Sequence, residues 1–390
     1  MSGPLDGVRV IDLTVNVLGP IATQILGDMG ADVVKVESPQ GDPIRHVGAA
    51  RNPGMGSYFL NCNRNKRGMV LDLKRPAGRA ALVRLLGDAD VLVHNMRPSA
   101  AQRLGLDHAA LTAAHPRLVH ASAAGFRQKS RWWDRPAFDD VIQGMSGIAA
   151  LHAERDGEPR FVPMVIADKF CGYVLASAIG MALFRRERTG RGQEVHVPML
   201  ETMLNLNLVE HMSWGTFGEP ERGLGYSRML TPYRRPYPTQ DGHICLLANT
   251  DEQWARLFAA IERPELITDP RFARLVDRSR NLHELYSLLD QSMPSRSTAE
   301  WQERLDAADV PNGPVNALKD LFTDPYLQET GFFMPMEHPS EGTMLTPAVP
   351  VAFSESPGAV RRLAPRLGEH TEEILTAAGF SPAEIAEAQA

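Results

Sequence analysis

Short β-branched and aliphatic runs alternate with helical segments through the first half of the chain, and this alternation leaves few folds open. Residues 8–13 read as a buried strand, Gly19-Pro20 opens a helical segment reaching Met29, and Asp32–Glu37 reads as a second strand. A strand, a helix and a strand at this spacing form the unit that builds a parallel sheet with helices on its faces. Further strands are expected at 70–73, 90–94 and 118–122, with a helix at Pro76–Leu86 and a short one carrying Arg103. Residues 38–68, rich in Gly, Pro, Asn and Arg, read as a long surface loop of the kind that is usually functional. In open parallel sheets ligands sit beyond the carboxyl ends of the strands; Asn95, Arg97, Ser122 and Gly125 fall there. Glu37 stands where dinucleotide folds place a ribose-binding acid. The first turn reads TVNVLGP and lacks G-x-G-x-x-G, so a nicotinamide site is not expected.

Residues 163–201, PMVIADKFCGYVLASAIGMALFRRERTGRGQEVHVPMLE, carry the densest signal. Asp168 stands where a helix would begin, as an N-cap whose carboxylate takes free backbone N–H groups. Phe170, Val174, Leu175, Ile179 and Leu183 follow at helical spacing. Gly172, Ala176 and Gly180 leave one face nearly bare, open to close approach by another backbone. Arg185, Arg186 and Arg188 suit the last turn, Gly190 stops it, and residues 193–198 read as a strand leading into a helix at Met199. Capping is the commoner duty of such an aspartate. The alternative is a nucleophile held ionised by the helix N-terminus. Nothing local decides between them.

At 390 residues the chain exceeds what one core usually serves, so two domains are expected. Residues 1–200 would form the larger, 201–224 a linker, 225–325 the smaller, and 326–390 a linker returning to the larger. In the smaller, 243–248 reads as a strand, 251–261 and 281–293 as helices, and Ser297-x-x-Glu300 as a capping box. Residues 330–353 suggest β structure, and Ser381-Pro382-x-Glu384 opens a last helix. The net charge of −6 with no long basic run argues against nucleic acid. No leader pattern and no apolar stretch of membrane-spanning length are read, so a cytoplasmic protein without a membrane partner is expected. Cys62, Cys171 and Cys245, odd in number and far apart, fit a reducing compartment rather than disulfides or zinc. His46, His94, His120, His211 and His243 are scattered without metal-ligand spacing, and no metal site is expected.

A series of motifs runs through nearly the whole chain. They are PLDGVRVIDLT…GP at 4–20, GADVVKVESPQGDPIR at 30–45, NRNKRGMVLDLK at 63–74 and ADVLVHNMRPSAAQRLGL at 89–106. FDDVIQGMSG at 138–147, ADK…G…ALFRRERTGRGQEV at 167–195, YPTQDGHI at 237–244, VPNGPV at 310–315 and LGEHTEEIL at 367–375 follow. In this order they resemble the class III (CaiB/BaiF-type) CoA-transferases. The resemblance implies an α/β fold, with a large Rossmann-like open parallel-sheet domain, a smaller α+β domain and an interlocked homodimer. It matches Asp168 to the aspartate that carries the covalent intermediates, first a mixed anhydride with the donor acyl group and then an aspartyl-CoA thioester. It places coenzyme A, as a thioester substrate rather than a tightly bound cofactor, against Val15, Asn16, Leu71, Lys74, Asn95, Met96, Arg97 and Arg103.

The substrates would be an acyl-CoA donor, with succinyl-CoA a candidate, and a carboxylic acid acceptor. Arg45, Phe138, Tyr226, Arg234 and Arg235 are the candidates to meet the acid. Departures from the formyl-CoA branch are Val17 in place of a glutamine, Ser38 in place of a basic residue, Phe138 in place of a tyrosine, and no glycine-rich loop. They argue against formyl-CoA and oxalate. Two other readings are an α-methylacyl-CoA racemase, for which Phe138 stands where the histidine base would be, and a non-catalytic acyl-CoA binder.

Overall fold

A computed structural model describes residues 3–389, the side chain of Gln389 excepted. The chain divides into two units, Met1–Ile148 with Phe161–Leu206 and Glu329–Ala390, and Ala149–Arg160 with Asn207–Gln328. Residues 149–160, expected in the large domain, thus join the second unit, as does most of the expected linker.

The chain opens with β1 (Arg9–Asp12), α1 (Leu18–Asp28), β2 (Asp32–Glu37), α2 (Ser57–Cys62), β3 (Lys66–Val70), α3 (Pro76–Leu86) and β4 (Val91–His94). Then come α4 (Pro98–Arg103), α5 (His108–Ala114), β5 (Val119–Ala124), α6 (Asp139–Met145), α7 (Ile148–Asp156), α8 (Ile166–Thr189), β6 (Glu194–Pro198) and α9 (Met199–His211). The six strands form one parallel sheet in the order β3-β2-β1-β4-β5-β6. The chain starts in the middle, winds outward to β3, then crosses back to β4, so the winding reverses between β1 and β4. A crevice opens at such a reversal, where adjacent loops leave in opposite directions.

Alternate side chains serve opposite faces of the sheet. Val10, Val33, Val91 and Val119 pack on one face under α1, α6, α8 and α9. Ile11, Val34, Met69 and Leu92 pack on the other, against α3, α4 and α5.

The loop expected at 38–68 is not structureless. It holds a 3-10 turn (Pro43–His46), α2 and the start of β3. The strand expected at 70–73 lies at Lys66–Val70, displaced because its opening Lys-Arg-Gly hides the strand pattern. Lys66 is buried there with its ammonium on Asp12, Asn63 and the Pro20 carbonyl.

Helix α8 has 24 residues and is long and apolar enough to cross a membrane by length and composition, contrary to the expectation for this chain. Its apolar stripe, Cys171, Leu175, Ile179 and Leu183, is part of the sheet's core, which accounts for that composition. Gly172 lets α1 approach: a Cβ there would stand 2.7 Å from the Leu18 carbonyl oxygen. At Gly180 a Cβ would meet nothing, so the close approach does not extend along the whole bare face. Gly190 ends the helix in the left-handed region at φ 71°.

The second unit contains α10 (Ser227–Leu230), a three-stranded antiparallel sheet of β7 (Tyr237–Pro238), β8 (His243–Leu246) and β9 (Asn312–Pro314), and the helices α11 (Asp251–Ala260), α12 (Leu275–Arg280), α13 (Leu282–Ser292) and α14 (Thr298–Ala307). Its core sets Trp254, Phe258, Phe272, Tyr286 and Trp301 among aliphatic side chains such as Leu257, Leu285 and Leu289. Capping boxes at Thr250/Gln253 and Ser297/Glu300 start α11 and α14.

After α15 (Pro325–Glu329) the chain forms an antiparallel hairpin of β10 (Phe333–His338) and β11 (Gly342–Pro347). It ends in α16 (Thr371–Ala377) and α17 (Pro382–Gln389), whose Ile374, Leu375, Ile385 and Ala388 complete the second face of the large sheet.

Candidate active site

The loops after β1 and β4 meet at the reversal point and are tied together there. Asn95 clasps Val15, its Oδ1 accepting the Val15 N–H at 3.0 Å and its Nδ2 donating to the Val15 carbonyl at 2.8 Å. The peptide groups on either side of Val15 are held as well. Lys35 Nζ donates to the Thr14 carbonyl at 2.9 Å, and Asp42 Oδ1 accepts the Asn16 N–H at 3.1 Å. Lys35 and Asp42 are themselves a buried ion pair at 2.9 Å. The turn has no ladder partners, so these side chains satisfy backbone groups that regular structure would otherwise pair. It carries Asn16 at φ 64°, a left-handed conformation that asparagine adopts more readily than most residues.

This turn walls a cleft of about 190 Å³ at the carboxyl ends of β1, β4 and β5. Val15, Asn16, Asn95, Met96 and Arg97 line it, with Ala123–Gly125 at the end of β5, Phe138 before α6, and Asp168 in the first turn of α8. Trp133 and Arg135, from the loop after β5, also line it and were not anticipated. Arg97 and Arg135 form no ion pair among the described residues.

Asp168 does not cap its helix. The helix begins at Ile166, and the free N–H groups of Ala167 and Asp168 are taken by Asp139 Oδ1 at 2.7 and 3.1 Å. Gln143 donates to the other Asp139 oxygen at 2.6 Å, and its own carbonyl accepts the Val162 N–H at 2.9 Å, fixing the approach to α8. The Asp168 carboxylate therefore has its helix start secured by another residue and accepts no hydrogen bond among the described residues. Burial and then the neighbouring Asp139 charge push it up to about 7. The capping reading is corrected by the Asp139 bonds, and of the alternative, a carboxylate held ionised by the helix N-terminus, desolvation takes back part.

A second cleft of about 330 Å³ abuts the first, sharing Val15 and Met96. Leu71 and Lys74 line it with Ser38, Asp72 and Leu104. Arg103, on α4, is exposed and lines neither cleft. Arg45 is not available to a substrate acid. It is 2 % exposed, bidentate to Glu37 at 2.7 and 2.7 Å, and stacked 3.7 Å from the Phe59 ring centroid. The same pairing consumes the Glu37 carboxylate. Tyr226, Arg234 and Arg235 belong to the second unit, where Arg235 pairs with Asp290 at 2.9 Å.

His94 and His120, scattered in sequence, come together because β4 and β5 are neighbours. Their Nε2 atoms lie 3.0 Å apart, and each Nδ1 is buried without a partner. Burial pushes them down to about 3 and about 4, so both rings are neutral.

The family model described as CoA-transferase family III matches residues 5–371. The chain belongs to CoA-transferase family III. A succinate–glutarate CoA-transferase of Agrobacterium fabrum is 34 % identical, over 95 % of this chain and 95 % of its own length. A formyl-CoA:oxalate CoA-transferase of Rhodopseudomonas palustris is 32 % identical, over 99 % and 96 %. Among solved structures, a CaiB/BaiF family protein from Brucella suis superposes with a TM-score of 0.81 at 31 % identity, over 97 % of this chain and 100 % of its own. The protein is thus an enzyme of the CoA-transferase type, and the six-stranded parallel sheet is that of its structural neighbours.

Proposed function

We propose that this CoA-transferase moves CoA from an acyl-CoA, with succinyl-CoA the first candidate donor, to a free carboxylic acid through covalent intermediates on Asp168. The observation that carries the reading is a cleft carboxylate without hydrogen-bond partners, on a helix whose first N–H groups another aspartate has taken. A carboxylate raised to about 7 is more basic than an ordinary one, and so a better nucleophile once ionised.

In the first step an Asp168 oxygen bonds to the acyl carbon and the C–S bond breaks, giving an aspartyl anhydride and CoA thiolate. The thiolate then attacks the Asp168 carbonyl and releases the donor acid, leaving an aspartyl-CoA thioester. The acceptor carboxylate attacks that thioester to form a second anhydride, and the returning thiolate takes the new acyl group and frees Asp168. CoA would run from the Leu71–Lys74 cleft past Val15 and Met96 to Asp168. The unpaired guanidinium groups of Arg97 and Arg135 support substrates that bring further negative charge, the CoA phosphates and a dicarboxylic acid. The exposed Tyr173, Met181 and Phe184 on α8 support the homodimer implied by the family resemblance.

The test is a panel of acyl-CoA donors with isotope-labelled free acids, read by mass spectrometry of the thioesters, beside Asp168→Ala. Label should enter one thioester and vanish with the variant. Transfer that survives Asp168→Ala sinks the aspartyl route, and α-proton exchange without transfer installs the racemase reading instead.

A further inference from the structure

The first turn holds the Asn16 backbone and leaves its carboxamide unused. The Asn16 N–H is held by Asp42, and the two peptide groups before it are held by Lys35 and Asn95. Its carboxamide, by contrast, makes no hydrogen bond among the described residues, and it lines the cleft with Asp168. Both residues stand near the close approach of α1 and α8. Gly172 rests against the Leu18 carbonyl at the start of α1, and Asp168 lies one helical turn before Gly172 on the same face of α8. Asn16 lies just before α1. A turn held on both sides that presents an unpaired amide to the same cleft as an unpaired carboxylate suits an oxygen bound in that cleft.

We propose that Asn16 is a catalytic residue whose Nδ2–H donates to the carbonyl oxygen of the acyl group as Asp168 attacks it, an assignment that rests on the aspartyl route above. As the Asp168 oxygen bonds to the acyl carbon, the carbonyl electron pair moves onto oxygen, and that oxyanion accepts the Asn16 hydrogen bond. Collapse re-forms the carbonyl and expels the CoA thiolate. The bond is stronger to the oxyanion than to the ground-state carbonyl, so it lowers the barrier more than it tightens binding.

The competing explanation is that asparagine is present only because it tolerates a positive φ. Glycine tolerates it better and carries no amide, so Asn16→Gly separates the two. The variant is compared with wild type on whichever donor–acceptor pair wild type turns over fastest, from a panel of succinyl-, acetyl- and formyl-CoA with dicarboxylic acids. The expected result is a fall in kcat of about 100-fold, the usual consequence of removing one oxyanion donor, with the donor KM and thermal midpoint little changed. If Asn16→Gly does not fold, Asn16→Ala, which also lacks the N–H donor and adds no charge to the cleft, carries the same comparison. Turnover that survives the loss of the amide overturns this assignment alone. Transfer on the same pair that survives Asp168→Ala removes the aspartyl route and this assignment with it.

Discussion

Asp139 accepts the backbone N–H of Asp168 at 3.1 Å, so the carboxylate that starts α8 and the carboxylate that faces the cleft are different residues, 29 positions apart. Asp139 makes the role of Asp168 possible. Asp139 spares Asp168 from capping, and its charge adds to burial in raising the Asp168 carboxyl to about 7.

A pH profile follows from that pair. Attack needs the ionised form, so kcat/KM should rise with pH and level off above about 7. Asp139→Asn removes the negative neighbour and should move the midpoint to lower pH, though not to 3.8, because burial is the larger cause. The new amide must face the Gln143 donor, so a stability loss of about 1–3 kcal/mol is expected alongside. A midpoint that stays in place would show that Asp139 matters only as a cap.

Asp168 should also cost the enzyme stability. Its folded value lies above its unfolded one, so the unfolded chain gives up the proton first and stability falls as pH rises from about 4 to about 7. Asp168→Asn removes that loss. Its thermal midpoint should exceed that of wild type by more at pH 8 than at pH 5, and an equal gain at both would contradict the assignment.

The His94–His120 pair should set the acid limit. Both rings titrate below their unfolded value of 6.5, through burial first and, for His94, the neighbouring His120 and His196. Glu194 opposes this at His120, and His108 reinforces it. The unfolded chain therefore binds about two more protons, and stability is lost as pH falls through 6 toward 4. A His94→Leu, His120→Leu double variant, which removes both partners together, should show a flatter dependence in denaturant titrations between pH 5 and 6.

Arg45→Ala should unfold rather than re-specify. It leaves Glu37 buried without its partner, a change that costs about 3–5 kcal/mol. The denaturation midpoint should drop sharply, while whatever folded enzyme remains keeps its acceptor KM. A raised acceptor KM at unchanged stability would return Arg45 to the substrate.

Strands β1, β2, β4, β5 and β6 and their parallel pairing were legible because they rest on periodicity and on motifs local in sequence. Helix α3 was read to the residue. What escaped depends on distant partners. Nothing near Asp139 announces that it caps a helix 27 residues on. The histidines looked scattered because the adjacency of β4 and β5 is a property of the sheet. Arg45 looked like a loop cation because nothing in the sequence pairs it with Glu37, which stands where dinucleotide folds place a ribose-binding acid. Lys66 disguised a strand because a lysine rarely sits in a sheet interior unless an acid waits there.

The last two helices lie on the sheet built from residues 9–198, where Ile374, Leu375, Ile385 and Ala388 close its second face. The ribosome makes about 5–20 residues each second, so the segment between β6 and that closure takes on the order of ten seconds or more. Through that interval one face of the nascent sheet, covered in part by α3, α4 and α5, keeps a greasy strip unroofed while the whole second unit is still being made. The order of synthesis thus leaves this enzyme a window for chaperone capture, and losing the final helices would leave that window open for good.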